Sequence, residues 1–486
     1  MRNACRFAVL TGVFVMTGAN ASAQRKPTKS TVDRTLVPTA GVDPTAKIPI
    51  WTVSTLSSGA RLVVVERHAL PLITLSMNFV GGANQFDPAD KPGVGSLTAA
   101  MMTEGTTARS GDEVSLALQT LGTTVSFGIG GETGTVSFRT LKNKFEPTLA
   151  IMVEEMLHPA FPDAALDRLK QRTLVNLRQS RDQTPGIASV VYPKLLYTTD
   201  HPYGRTTSEA SVTSVTRQDI IAFHDAFFQP SHAVITVVGD ITTADARASI
   251  DRALAGWTGT AGPVVFNYPT PPTPKPTTIY IVDKPAAAQS TFSIGVVGPP
   301  RNSTDYYALR VMNTIFGGLF QSRINANIRE AKGWSYGVNS SLAFGRGPGP
   351  FVAGGDVQTN KTDSALVEFV NEFKGIRGDR PVTDAELKAA KAALVQSLPS
   401  RPATIGGVNS MVTEIFVNGL PEDYWTQFQR EVNAVTGADV QRVARTYIDM
   451  DHLTILIVGD RAKIEGPVRA TGVAPVVILD KNGNPM

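Results

Sequence analysis

The chain almost lacks cysteine, because its 486 residues contain a single one, Cys5. One thiol cannot form an intramolecular disulfide bond. Cys5 is also not preceded by the small residues that mark a lipid-anchor cleavage site, so no lipid anchor is implied. We expect Cys5 to be lost with the N-terminal segment described next, which leaves a mature chain without a thiol.

Long hydrophobic runs are also missing. Beyond the N-terminus, no stretch reaches about 18 apolar residues without a charge, the length that a membrane span requires. At the N-terminus, Arg2 and Arg6 precede a short apolar run over residues 7–15, and residues 21–23 read Ala-Ser-Ala. This arrangement is typical of a secretory signal peptide and its cleavage site. We predict that residues 1–23 are removed and that the mature protein is exported, either periplasmic or secreted.

Neither sign of charge is in large excess. Lys and Arg total 46 against 42 Asp and Glu, a net charge of +4. Without Arg2 and Arg6 the totals are 44 and 42, so the net charge of the mature chain falls to about +2. No dense stripe of basic residues is present, which argues against nucleic acid as a partner. No glycine-rich fingerprint follows a strand, so a nucleotide cofactor is not expected.

The first positive feature is an internal repeat. Residues 215–240 align without gaps on residues 435–460, and Thr216 matches Thr436. Each copy predicts a helix that begins at a capping threonine, followed by a β-rich run that ends in Gly-Asp. Duplication of one structural unit explains this match better than chance.

A proline-rich segment separates the two copies. Residues 269–278 read PTPPTPKPTT, which excludes a helix or a central strand and predicts a semi-rigid linker. Strand patterns over residues 62–66, 73–80 and 125–138, with a glycine-rich hairpin turn, come before helical patterns over residues 149–156 and 163–178. This order favours an α+β fold over a doubly wound parallel sheet. The predicted organisation is a signal peptide (1–23), an N-terminal extension (24–49), a first half (50–268), the linker (269–278), a second half (279–470) and a C-terminal tail (471–486).

Three segments, in this order, carry a resemblance to a known family. They read GGANQFDPADKPGVGSLTAAMMTEGT at residues 81–106, HPYGRTTSEASVTSVTRQDIIAFHDAFFQPSHAVITVVGD at 201–240, and REAKGWSYGVNSS at 329–341. Together they resemble the pitrilysin/insulinase family of zinc peptidases over residues 50–468. The resemblance implies two tandem homologous α/β-sandwich halves of the kind found in mitochondrial processing peptidase and insulinase.

Active members of that family carry His-x-x-Glu-His on a helix of the first half. Two histidines on one helix face bind zinc, and the glutamate between them activates the bound water. Here the corresponding residues are Ser96, Ala99 and Ala100. The family's third ligand, a glutamate, would fall within one residue of Asn176. Because these side chains cannot replace the ligands, we expect no zinc or other metal in this chain.

The helix itself is still expected to form, since Val94, Leu97 and Met101 make an apolar stripe at helical spacing. Autonomous zinc-peptidase activity would need unusual ligands, and no histidine has a second ligand at the positions i+2, i+3 or i+4. A Ser-His-Asp hydrolase has no Gly-x-Ser-x-Gly elbow to support it. We interpret the histidines as structural or exposed: His68, His158, His201, His224, His232 and His452.

The second half retains a pair that the resemblance implies is functional. In active members, an arginine and a tyrosine seven residues apart bind the substrate carbonyl and stabilise the developing charge. Arg329 and Tyr336 have this spacing. We expect Arg329 in the last turn of a helix that carries Phe320 and ends near Gly333, and Tyr336 at the start of a strand. The alternative is a surface arginine and a tyrosine packed on the sheet.

In some branches of the family, one chain carries zinc and another carries the Arg/Tyr pair. This chain resembles the second kind, which implies a heterodimer with a homologous zinc-bearing peptidase subunit and a composite site for short or unfolded peptides. Zinc hydroxide in the partner would attack the peptide carbonyl that Arg329 and Tyr336 polarise. The glycines of residues 351–356 suggest an edge for pairing with the peptide, or else a simple bulge or turn. The alternative function is a catalytically silent binding or scaffold protein.

Overall fold

The computed structural model describes residues 47–259 and 261–486. The predicted signal peptide and all but three residues of the predicted N-terminal extension lie outside these residues. The described residues belong to one unit, Pro44–Met486, and they form two halves of the same design. Each half contains a six-stranded sheet with helices packed against it.

The first half contains all the described elements that precede the linker. Its strands are β1 Thr52–Thr55, β2 Arg61–Glu66, β3 Leu72–Val80, β4 Val125–Ile129, β5 Thr133–Leu141 and β6 Ala233–Gly239. Its helices are α1 Gly82–Phe86, α2 Val94–Met101, α3 Gly111–Leu121, α4 Phe145–Leu157, α5 Asp163–Arg181, α6 Thr184–Tyr197, α7 Glu209–Ser214, α8 Arg217–Phe227 and α9 Thr243–Ala253.

The second half repeats most of this order. Its strands are β7 Thr278–Asp283, β8 Gln289–Val297, β9 Ser335–Leu342, β10 Pro350–Gln358, β11 Thr454–Gly459 and β12 Val476–Leu479. Its helices are α10 Tyr306–Asn313, α11 Arg323–Asn325, α12 Thr362–Lys374, α13 Asp384–Gln396, α14 Ile405–Asn418, α15 Tyr424–Ala434, α16 Gly437–Tyr447 and α17 Arg461–Ala470. Helix α10 continues into a wider π-helical turn over Thr314–Gly318, and α11 into another over Ala326–Ala331.

The strand order is β1-β2-β6-β3-β5-β4 in the first sheet and β12-β7-β11-β8-β10-β9 in the second. Five strands correspond, whereas the sixth is the first strand of its half in one sheet (β1, antiparallel to β2) and the last strand of its half in the other (β12, parallel to β7). In both sheets one inner pair is parallel, β2 with β6 and β7 with β11, and the strands from there to the edges at β4 and β9 are antiparallel. Mixed sheets in two matching halves confirm the predicted α+β fold.

The internal repeat corresponds to one helix and one strand in each half. The Thr216 backbone N–H donates to the Asp219 carboxylate at 2.7 Å, and the Thr436 N–H donates to Asp439 at 2.9 Å. In return, each threonine hydroxyl accepts from the backbone N–H of its aspartate, which completes a capping box at the start of α8 and of α16. The following strands, β6 and β11, lie in the centres of their sheets and are almost entirely buried.

The two halves exchange one helix each. Helix α6 belongs to the first half in sequence but packs on β8 and β11 of the second sheet, whereas α14 of the second half packs on β3 and β6 of the first. Val191 of α6 forms an apolar cluster with Leu456 and Val458 of β11. Each sheet therefore has helices of its own half on one face and a helix of the other half on the opposite face.

One prediction about peptide binding is wrong. Residues 351–356 belong to β10, which pairs with β8 on one side and with β9 on the other. A strand that is hydrogen-bonded along both sides has no free backbone groups for an added peptide. The alternative expectation, a simple bulge or turn in this segment, is confirmed, because the β9–β10 pairing shifts register at a bulge between Gly355 and Val357.

Two predicted boundary segments have defined places. Residues 269–277 of the proline-rich linker form no helix or strand, and Thr278 begins β7. The Thr277 N–H donates to the Asp451 carbonyl at 2.7 Å. Part of the predicted C-terminal tail forms β12, which pairs in parallel with β7 and so completes the second sheet. Within the described residues, every helix is too short or too polar to cross a membrane.

Candidate functional site

Helix α2 occupies the place that the resemblance assigns to the zinc helix. Its start is held by Asp87, whose carboxylate accepts hydrogen bonds at 2.7 Å from the backbone N–H groups of Gly93 and Gly95. Burial raises the pKa of Asp87, and the two N–H donors partly offset that rise. Gly93 adopts φ = 109°, a conformation that other residues rarely adopt. The turn before the helix is therefore specified by Asp87 and two glycines.

The side chains at the three motif positions on α2 have no metal-binding chemistry. Ser96 is exposed, Ala99 is only 6% exposed, and Ala100 packs against the core of the first half. On α5, Asn176 is exposed, while the next residue, Leu177, packs against the same core. Neither position supplies a carboxylate. These residues do not fit zinc, which needs at least three nitrogen, sulfur or carboxylate ligands from the protein.

Packing explains why α2 persists. Val94, Leu97 and Met101 are at most 3% exposed and belong to the core of the first half, as the apolar stripe predicts. Throughout residues 47–259 and 261–486, no group of three or more His, Cys, Asp and Glu side chains is placed to hold a metal ion. Two of the histidines are buried beside backbone groups, since His232 lies 3.1 Å from the Phe227 carbonyl and His201 accepts from the Tyr203 N–H at 3.0 Å.

Arg329 lies in the π-helical turn that ends α11, close to where the sequence places it. The helix stops at Gly333, which has φ = 66° and donates its N–H to the Arg329 carbonyl at 2.9 Å. The Trp334 N–H then donates to the Ile328 carbonyl at 3.1 Å. Such left-handed glycine endings turn the chain sharply out of a helix. Strand β9 begins two residues after this glycine.

A β-bulge directs Tyr336 away from the sheet. Ser335 pairs with Val357 and Val338 pairs with Gly355, so two residues of β9, Tyr336 and Gly337, face one residue of β10. Bulges of this kind alter the direction of a side chain at a sheet edge. Tyr336 is 90% exposed. The alternative expectation, a tyrosine packed on the sheet, is therefore wrong.

Arg329 is positioned by a neighbour that the sequence prediction misplaced. Its guanidinium carbon lies 4.4 Å from the ring centroid of Phe320, and its Nε lies 3.2 Å from a Glu330 carboxylate oxygen. Phe320 was expected on the same helix as Arg329, but α11 begins only after Ser322, and Phe320 is 56% exposed in the preceding turn. Gly317 and Gly318, which end the previous helical segment, were the available signal for this break.

We call Phe320, Arg329 and Tyr336 the Arg/Tyr surface. A guanidinium and a phenol both donate hydrogen bonds, and a carbonyl oxygen that gains negative charge accepts them. The side chain of Arg329 is 37% exposed, and Tyr336 is almost fully accessible. The surface can therefore contact a group outside the described chain, and none of its three side chains is a zinc ligand of the kind that active members use.

Comparison with known families assigns both halves to one family. The model described as Insulinase (Peptidase family M16) matches residues 69–204, and the model described as Peptidase M16 inactive domain matches residues 214–394. The chain belongs to the insulinase family, peptidase family M16. The first match contains α2 and the second contains the Arg/Tyr surface.

Relatives agree with this assignment. An uncharacterized zinc protease, YmxG of Bacillus subtilis, is 20% identical over 83% of this chain and 97% of its own length. The non-peptidase homolog YmxG of Helicobacter pylori is 21% identical over 83% of this chain and 92% of its own. The crystal structure of a peptidase M16 inactive domain from Pseudomonas fluorescens has a TM-score of 0.77 and 26% identity, and the match covers 84% of this chain and 98% of that one.

The family assignment and the geometry of α2 lead to one conclusion. The M16 fold is complete in both halves, while the positions that hold zinc in active members carry a hydroxyl, two methyl groups and, near Asn176, no carboxylate. The chain is a non-catalytic, peptidase-like member of the insulinase family.

Proposed function

We propose that this protein is the non-catalytic subunit of a heteromeric zinc metallopeptidase, which completes the active site of a homologous zinc-bearing partner. The observation that carries the proposal is the Arg/Tyr surface. Tyr336 is 90% exposed, and the side chain of Arg329, seven residues earlier, is 37% exposed. A bulge and a left-handed glycine specify the backbone on either side of the tyrosine, so its exposure is built into the fold.

The chemistry of the pair fits a supporting role in peptide hydrolysis. Arg329 and Tyr336 would donate hydrogen bonds to the carbonyl oxygen of the scissile peptide bond and stabilise the negative charge that develops on it. The stacking of the guanidinium on Phe320 limits its rotation and so orients its donors. Zinc and the group that activates water would come from the partner, because the positions of this chain do not fit them.

The proposal includes the setting of the reaction. The N-terminal pattern supports export, so the complex would work outside the cytoplasm, in the periplasm or after secretion. The substrates would be short or unfolded peptides, since an enclosed site between two subunits admits an extended chain more readily than a folded domain.

A silent binding or scaffold protein is the second candidate. It is favoured by the likeness to a relative whose name is non-peptidase homolog. On this view the fold is retained for contacts with other proteins, and the exposure of Tyr336 serves a binding surface without catalysis.

Reconstitution with a chain that contains an intact His-x-x-Glu-His helix distinguishes the two candidates. Cleavage of a quenched fluorescent peptide would be measured for the pair and for each chain alone. We expect cleavage by the pair only, with zinc in the partner and none in this chain by metal analysis. Arg329→Ala and Tyr336→Phe should lower kcat by about 100-fold, the effect of losing one oxyanion donor, with a smaller change in KM.

Arg252→Ala is the matched control, because Arg252 is an exposed arginine of α9 whose nearest carboxylate, that of Glu146, is 3.9 Å away. It should leave cleavage unchanged. Full activity of a pair that carries both site substitutions would overturn the composite site. A stable pair that cleaves no peptide would support the scaffold.

A further inference from the structure

The second half contains a cavity that neither α2 nor the Arg/Tyr surface uses. Its volume is about 580 Å³, within the range of small-molecule sites. It lies between the first turn of α10, the β9–β10 loop, the α14–α15 connection and a residue preceding the linker. We call it the Arg301 cavity. Four aromatic rings and two arginines line it: Phe266, Tyr306, Tyr307, Tyr424, Arg301 and Arg346.

Arg301 is held against two of these rings. Its guanidinium carbon lies 3.5 Å from the ring centroid of Tyr306 and 5.2 Å from that of Tyr424. One guanidinium nitrogen donates to the Tyr424 hydroxyl at 2.9 Å. Stacking and one hydrogen bond fix the plane of the group, while most of its five N–H donors have no acceptor in the described residues. A guanidinium fixed in this way is ready to bind a planar anion.

Arg346 approaches the cavity from the β9–β10 loop. Its guanidinium carbon lies 4.2 Å from the ring centroid of Phe266, and one of its nitrogens donates to the Val417 carbonyl. This loop is anchored to the first half, because the backbone N–H of Arg346 donates to both oxygens of the Glu132 carboxylate at 3.0 Å. The second arginine is therefore also held by its surroundings.

The lining of the Arg301 cavity contains two positive charges and no negative one. Carboxylates close to the cavity have other partners: Glu132 accepts from the Arg346 backbone N–H and from the Tyr203 and Tyr268 hydroxyls. Glu414 lies 3.8 Å from Arg401, and Glu431 lies 2.7 Å from Arg430. Two half-buried arginines without a counter-ion are costly, unless a ligand supplies the negative charge.

We propose that the Arg301 cavity binds a carboxylate that carries an aromatic or other apolar group. The two arginines would pair with the carboxylate, and the rings of Phe266 and Tyr307 would contact the apolar part. The carboxylate could be the free C-terminus of a peptide or a small carboxylic acid, because both present the same chemistry.

The cavity is distinct from the Arg/Tyr surface. Tyr336 is at the start of β9, and the loop that carries Arg346 follows the other end of the same strand. At about 3.3 Å per residue, the two ends of this strand are roughly 20 Å apart. The inference does not depend on the proposed function, and it is tested with this chain alone.

Isothermal titration of the purified chain with N-acetyl-phenylalanine and with its C-terminal amide tests the proposal. We expect the acid to bind with a dissociation constant at or below about 1 mM, and the amide to bind at least about tenfold more weakly. A third ligand, 3-phenylpropionate, distinguishes a peptide C-terminus from a small carboxylic acid as the source of the carboxylate. Tighter binding of the acetylated residue supports a peptide terminus, whereas equal affinity supports any small carboxylic acid of this shape.

Substitutions link binding to the two arginines. Arg301→Lys keeps the positive charge but removes the paired N–H donors of the guanidinium, and Arg346→Gln removes the charge. Each substitution should weaken binding of the carboxylate by about tenfold. Asn418→Asp is a second test that leaves both arginines in place. Because aspartate has nearly the shape of asparagine, this change adds a negative charge on the exposed rim of the cavity with little other disturbance, and it should also weaken binding.

The matched control is Arg252→Ala, since Arg252 is an exposed arginine of α9 that does not line the cavity. It should leave binding unchanged. Far-ultraviolet circular dichroism would show that each variant is folded. Equal binding of acid and amide, no binding by the unmodified chain, or full binding by Asn418→Asp would each overturn the proposal.

Discussion

The two halves share the order of five strands but differ in how the exchanged helix covers the sheet. On the second sheet, α6 packs mainly through an apolar cluster that includes Val191, Leu456 and Val458. On the first sheet, α14 meets polar side chains, and Asn409 and Ser76 exchange a hydrogen bond at 3.0 Å. A cavity of about 380 Å³ with mostly Ser, Thr and Asn side chains remains there. The same backbone arrangement therefore gives a mainly apolar contact between helix and sheet in one half and a polar contact in the other.

A second pair of equivalent residues shows the same divergence. Glu155 and Glu372 each occupy the eleventh position of a thirteen-residue helix, α4 and α12, and each is 1% exposed. The Glu372 carboxylate accepts from Asn327 at 2.8 Å and from Arg380. One carboxylate oxygen of Glu155 has no partner. Burial raises the pKa of Glu155 to about 8. Duplication preserved the position of the glutamate but not its partners.

The largest loss of stability should come from a substitution in the apolar interface between α6 and the second sheet. Leu456 is fully buried between the second sheet and α6. Leu456→Ala should lower the free energy of unfolding by about 3 to 5 kcal/mol, because it leaves a cavity in a close-packed cluster. Urea denaturation followed by circular dichroism measures this loss.

The matched substitution on the first sheet is Thr74→Val. The Thr74 hydroxyl lines the polar cavity and is buried without a hydrogen-bond partner. Its replacement by a methyl group should change the free energy of unfolding by less than about 1 kcal/mol, and in the stabilising direction. Equal losses in the free energy of unfolding at Leu456 and Thr74 would contradict the distinction between an apolar and a polar interface.

A smaller and pH-dependent effect is expected at Glu155. Its carboxyl has an ordinary pKa of 4.5 when unfolded and about 8 when folded, so the native state binds more protons between these values. The free energy of unfolding therefore falls as the pH rises from about 4.5 to 8 and is flat above that range. Glu155→Gln should remove this dependence and make the protein about 2 kcal/mol more stable than the unmodified chain at pH 9.

Glu372→Gln is the comparison for that experiment. It weakens the acceptor for Asn327 and Arg380, so it should destabilise the protein at neutral pH by about 1 to 2 kcal/mol. Thermal unfolding of both variants between pH 4.5 and 9 gives the two profiles. Destabilisation by Glu155→Gln at high pH would show that its carboxylate has a partner in solution.

The smallest effect should be at Tyr336. Because its side chain is 90% exposed, Tyr336→Ala should change the free energy of unfolding by less than about 0.5 kcal/mol. Tyr306, which is 4% exposed and stacks under Arg301, provides the contrast: Tyr306→Ala should cost several times more. A large loss of stability at Tyr336 would mean that the tyrosine packs within the chain and is not presented to a partner.

Much of the fold was predictable because local patterns and tertiary contacts agree. The threonine caps at Thr216 and Thr436, the β4–β5 hairpin and the end of α11 at Gly333 all lie where the sequence predicts them. Each depends on a local signal: a hydroxyl at a helix start, alternation beside glycines, or a glycine that permits positive φ. The missing zinc ligands were evident for the same reason, since side-chain chemistry can be read without a structure.

The predictions that failed depend on how segments meet in the folded chain, although Gly317 and Gly318 already marked the break before α11. The glycines of residues 351–356 suggested an open edge, but β9 covers that side of β10. The helix assigned to Phe320 begins only at Arg323, and the exposed stack of Phe320 on Arg329 depends on that turn. The exchange of α6 and α14 between the sheets has no local signal at all.

The residues alone identify a duplicated insulinase-type chain that lacks the zinc ligands and keeps Arg329 and Tyr336. The folded structure adds that Tyr336 is exposed, that a helix of each half covers the sheet of the other, and that Arg301 and Arg346 line one cavity with no carboxylate in its lining. Ligand chemistry and helix caps belong to single side chains and short segments, whereas exposure, strand pairing and uncompensated charge depend on residues that only folding brings together.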